Sequence, residues 1–124
     1  MSRYGPQIAA LARRAERDRR TFDPETATPV DGETYLREGA GQVIWLYVEA
    51  RTGGRLVPFS ESELKALRRA MNAWLECYAR CHGVELEADF TVRGAAEVLL
   101  ETQNVFDTAQ LLTRVPSRTA ATKR

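Results

Sequence analysis

The segment VIWLYV, residues 43–48, decides how this chain is read. Six consecutive β-branched, aromatic or aliphatic residues leave no polar face, which is the pattern of a strand covered on both sides. Gly53 and Gly54 follow as the clearest turn in the sequence, because glycine enters left-handed φ without steric cost. Residues 56–59 then return as a second strand. Pro58 lacks an N–H and belongs at that strand's edge side or near its end.

Downstream of this predicted hairpin, residues 60–83 read as one long helix. Ser60 and Glu63 form a capping-box pair, in which each side chain satisfies an orphan amide of the first turn. Leu64, Leu67, Met71, Trp74, Tyr78 and Cys81 recur at alternating three- and four-residue steps, one face of a helix, and Gly83 closes it. Val84, Leu86, Ala88, Phe90 and Val92 then alternate with Glu85, Glu87, Asp89 and Thr91. That period of two predicts a third strand with one buried face and one wet acidic face. Thr91 caps a predicted helix over 92–103. Asp107 caps a shorter one through Thr113, which Pro116 ends.

Upstream, Ile8, Leu11, Ala12 and Ala15 recur at helical spacing behind Pro6, giving a helix over 6–19 with a narrow alanine-rich stripe. Residues 21–42, with Pro24 and Pro29 and a run of acids, read as an extended connection with at most a helical turn near 33–38. The expected fold is therefore α+β: a three-stranded sheet, made of a hairpin plus one returning strand, packed against a long central helix, with a C-terminal helical pair. The expected organisation is a basic N-terminal helix (1–20), an acidic extended connection (21–42), an α+β core (43–113) and a basic flexible tail (114–124).

A chain of 124 residues buries a sizeable core without disulfides or metal. Its net charge of +1 gives no overall bias toward polyanions, but the charge comes in blocks. Residues 1–20 hold six arginines against Glu16 and Asp18, residues 84–107 hold six acids against Arg93, and 114–124 is purely basic. The longest apolar run is far too short to span a bilayer, so no membrane association is expected. Two cysteines make no secreted-type framework and nothing resembles a signal peptide, so a reducing cytoplasm is the expected setting.

Cys77, Cys81 and His82 form the one thiol and imidazole constellation. Angular spacing on a helix sends Cys77 and His82 to opposite flanks of the apolar stripe, so they do not converge on a tetrahedral metal. Adjacent Cys81 and His82 point about 100° apart and do not meet as nucleophile and base. Cys81 reads most simply as a small buried hydrophobe, and His82 as a residue favoured at a helix C-terminus. Glu85, Glu87 and Asp89 share a strand face, which a hard cation would need another carboxylate to close. No catalytic, cofactor-binding or metal-ligating residue is assigned.

The functional expectation is a non-catalytic accessory or protein-interaction domain that self-associates. Its reason is the apparent shortage of cover for the 43–48 run and for the Trp74–Tyr78 face. The candidate interface residues are Trp45, Tyr47, Met71, Trp74 and Tyr78. The alternative is nucleic-acid binding through the basic ends, with Arg13, Arg14, Arg17, Arg20, Arg114, Arg118, Lys123 and Arg124 as the phosphate-contacting set. A third reading is a small enzyme whose site does not show in linear order.

Overall fold

A computed structural model describes residues 3–52 and 58–115, and among them there is no strand and no sheet. The α+β expectation is corrected to an all-helical fold. Helix α1 spans Gly5–Thr21 and α2 spans Pro29–Tyr35; a π-helical turn, Leu36–Ala40, leads directly into α3, Gly41–Thr52. Helices α4 (Glu61–Cys81), α5 (Val92–Thr102) and α6 (Val105–Thr113) complete the order.

The 43–48 run lies in α3. An apolar run of six suits a buried strand or a buried helix equally, and length arbitrates between them. Here helical backbone begins well upstream of the run. Thr28 caps α2 in a full capping box: its hydroxyl accepts from the Asp31 amide, and the Asp31 carboxylate accepts from the Thr28 amide. Pro29 sits in the first turn, where a missing N–H costs nothing. From there Leu36, Ala40, Val43, Tyr47 and Ala50 fall at steps of four and three and are all buried. Much of the supposed extended connection, from Pro29 onward, is thus helix. The expected hairpin turn at Gly53 and Gly54, and Leu56 after it, lie outside the described residues. Pro58 and Phe59 are irregular, and the Phe59 ring stacks on Tyr47 with centroids 6.0 Å apart.

Helix α4 is the hub, touching α1, α2, the π turn, α3, α5 and α6. Its capping box forms as expected, with the Ser60 hydroxyl accepting from the Glu63 amide and the Glu63 carboxylate accepting from the Ser60 amide. Its C-terminus closes in a Schellman arrangement: the Val84 amide donates to the Ala79 carbonyl and the Gly83 amide to that of Arg80, with Gly83 at φ +78°. Trp74, 1% exposed, sits at the centre. Its indole N–H donates to Asp18 at 2.9 Å, and its ring lies flat against Gly39 of the π turn, where a Cβ would come within 2.5 Å of the indole. Gly39 is therefore a requirement of close approach between the π turn and α4.

Residues 84–91, the expected third strand, join no sheet, but burial alternates along them as in an extended chain. They run along α4, whose side chains do the work of a neighbouring strand. Asn72 accepts from the Phe90 amide and donates to the Phe90 carbonyl, both at 3.0 Å, and Glu76 accepts from the Ala88 amide at 2.9 Å. The alternation was real: Leu86, Ala88 and Phe90 pack toward the core while Glu85, Glu87 and Asp89 are exposed. The C-terminal helical pair is present. α6 is capped by Asn104, whose side chain accepts from the amides of Phe106 and Asp107, so Asp107 lies in the first turn instead of capping it.

Candidate functional site

A groove of about 640 Å³ lies between α1 and α4. Its floor follows from two alanine series, Ala12 and Ala15 on α1 and Ala66, Ala70 and Ala73 on α4. Small side chains at helical spacing on facing helices let the axes come close while leaving a shallow channel above the seam. The rim carries Arg13, Arg19, Arg20 and Arg69 against one acid, Glu16. Arg19 reaches Glu76 at 3.8 Å. Arg13, Arg20 and Arg69 have no acidic partner within ion-pair distance among the described residues.

A second cleft adjoins the groove along the exposed edge of α4. It shares Arg19 and Arg69 with the groove and ends at Ala88 and Asp89 of the extended segment. Arg68 pairs with Asp89 there. Glu85 and Glu87, further along the same segment, are exposed and have no basic partner among the described residues. Glu85 and Glu87 line a further recess with Leu86, Arg80 and Glu76, and Glu76 also lines the second cleft, so an acidic strip follows the arginine-rimmed groove along α4.

The structure divides the expected phosphate-contacting set. Arg13 and Arg20 line the groove. Arg14 and Arg17 point to another side of α1: Arg14 donates to the Glu38 carbonyl at 2.7 Å and lies 5.6 Å from the Trp74 ring centroid, and Arg17 pairs with Asp18 at 3.6 Å. Arg114 is exposed just beyond α6, with φ 60°. Arg118, Lys123 and Arg124 lie outside the described residues. Sequence reading missed Arg69 and the alanine floor; the helical spacing of Ala66, Ala70 and Ala73 was the available signal.

The candidate interface residues also separate. Tyr47, Met71, Trp74 and Tyr78 are core residues, and Trp45 alone, 45% exposed, meets solvent. The apparent shortage of apolar cover disappears because α1, the π turn and α3 wrap α4 from several sides.

Cys77 and Cys81 are free and buried. Burial pushes the Cys77 thiol up to about 11, with Asp18 adding to the effect, and the Cys81 thiol up to about 12, with Asp31 adding. Both hold their protons at neutral pH, the opposite of an activated nucleophile. The His82 ring packs edge-on against Tyr78, centroids 5.0 Å apart. Among the described residues no group of three or more His, Cys, Asp or Glu is arranged to hold a metal. No described helix is long and apolar enough to cross a membrane.

Comparison with known proteins gives a family without an assigned activity. A family model described as "Domain of unknown function (DUF8055)" matches residues 2–117, nearly the whole chain, and the chain belongs to that family. No curated protein and no solved structure matches it.

Proposed function

We propose that this chain is a non-catalytic protein-interaction domain that self-associates through the face carrying the groove and the acidic strip. The supporting observation is the pairing of opposites left open along α4 among the described residues: Arg13, Arg20 and Arg69 at the groove, Glu85 and Glu87 in the recess beyond the second cleft. Complementary charge at a surface steers encounter and fixes register, while a floor of small apolar side chains lets backbones approach. The two thiols are buried and protonated, which weighs against thiolate chemistry at either cysteine.

Sedimentation equilibrium over a concentration series tests the reading. A species of twice the chain mass is expected at low salt, weakening as ionic strength rises because exposed charges are screened over about 10 Å at 0.1 M. A monomer at every concentration contradicts it.

The same three free arginines favour one second reading, contact with a nucleic-acid backbone. Phosphate contacts lose affinity steeply with salt, and three of them predict a log–log slope near −2.7 on duplex DNA. Glu16 inside the groove and the adjacent acidic strip weigh against it.

A further inference from the structure

Resting on the reading of self-association, we infer that the assembly is a two-fold dimer in which each copy sets its acidic strip, with Glu85 and Glu87 foremost, over the arginine-rimmed groove of the other. Groove and strip are linked along α4 through the second cleft, which shares Arg19, Arg69 and Ala73 with the groove and Glu76 with the recess that Glu85 and Glu87 line beside Arg80. A two-fold axis through that cleft turns each groove onto the opposite copy's strip, so both complementary contacts form at once and the assembly closes. A head-to-tail arrangement would satisfy one contact per molecule and leave the other free to propagate.

The strip suits its role. Alternate residues of an extended chain stand about 6.6 Å apart on one side, so Glu85 and Glu87 present two carboxylates in a row. Asp89 already pairs with Arg68 and stays with its own chain. The backbone amides of Glu85, Leu86 and Glu87 have no partner among the described residues, in contrast to Ala88 and Phe90, which α4 holds. The segment is therefore held at both ends, by the Val84 amide on the Ala79 carbonyl and by the contacts of Ala88 and Phe90 with α4, while the amides along the stretch that carries the acids stay open among the described residues. On the other side, the alanine floor admits an extended chain, and arginine forks pair well with carboxylates.

Charge reversal with complementation tests this. The groove variant is Arg20→Glu with Arg69→Glu, and the strip variant is Glu85→Arg with Glu87→Arg. All four residues are exposed and have no ion-pair partner among the described residues, so reversal leaves the core untouched; Gln at the same positions gives the same pattern more weakly and serves if a reversal unfolds the chain. Each variant alone is expected to dimerise at least about tenfold more weakly than the native chain. Their equimolar mixture is expected to form a heterodimer within a few-fold of native affinity, since one contact is then native and the other is reversed on both sides. A native chain that stays monomeric removes the self-association reading and this arrangement with it. A native dimer whose variants dimerise unchanged keeps self-association and overturns this surface. Weakened variants whose mixture stays weak overturn the reciprocal two-fold pairing.

Discussion

Residues 43–48 and residues 84–91 both carry a strand signature, and they end in different conformations for different reasons. The first is an unbroken apolar run. Its composition reports burial on every side, which the centre of a helical bundle supplies as well as the centre of a sheet. The second is a strict alternation, which reports an extended chain with two unlike faces. That chain is extended, but its hydrogen-bonding neighbour is a helix: Asn72 and Glu76 stand in for a strand. Periodicity thus speaks to local conformation and burial, while the identity of the partner is a tertiary fact that it does not carry.

The largest expected effect that sharpens this contrast comes from proline in α3. Trp45 is exposed, so Trp45→Pro deletes little core packing, yet it removes an intrahelical hydrogen bond and should cost about 3 kcal/mol or more in a denaturant titration. If residues 43–48 paired as an edge strand, the cost would depend on which way the Trp45 amide faced and could be slight. Asn72→Ala comes next. It strands the amide and carbonyl of Phe90 in a half-buried setting, with an expected loss of about 2 kcal/mol and faster exchange at the Phe90 amide. Exchange unchanged at Phe90 would show that a partner other than Asn72 holds it.

A smaller effect is expected from pH. The folded state favours the neutral thiols of Cys77 and Cys81, whose values are raised to about 11 and about 12 by burial first. Unfolded thiols ionise near about 8.5, so this contribution is complete below that pH and is lost as pH climbs toward the folded values. The denaturation midpoint should fall between about pH 8.5 and 10, before tyrosines titrate in the unfolded chain, and Cys77→Ala with Cys81→Ala should flatten that slope. The smallest effect belongs to Glu87→Pro. The Glu87 amide has no partner among the described residues and the position lies outside any helix, so stability should move by less than about 0.5 kcal/mol. A large loss there would mean that the strip's amides are paired after all.

Much of α4 was legible because it combines three independent signals: the Ser60–Glu63 box, a stripe at steps of three and four, and Gly83 at the stop. Helix α5 follows from Thr91 in the same way. The helical run leading into α3 was missed although its start is written in Thr28, Pro29 and Asp31, a capping box with aspartate in place of glutamate. Reading only the six-residue run also hid the longer series from Leu36 to Ala50, whose steps are helical. Of the candidate site, Arg13 and Arg20 were legible from the basic first helix. Their seven-residue separation places them on one face, while Arg14 and Arg17, three apart, lie on another. Arg69 depends on how α1 seats on α4, which the sequence of neither helix states alone.

Backbone NMR of the native chain addresses the contrast most directly. Helical Cα shifts are expected across 43–48 and extended shifts across 84–90, with protected amides at Ala88 and Phe90 beside rapidly exchanging ones at Glu85 and Glu87, and no cross-strand NOE linking the two segments. Extended shifts at 43–48 together with cross-strand contacts to 84–91 would contradict the all-helical fold.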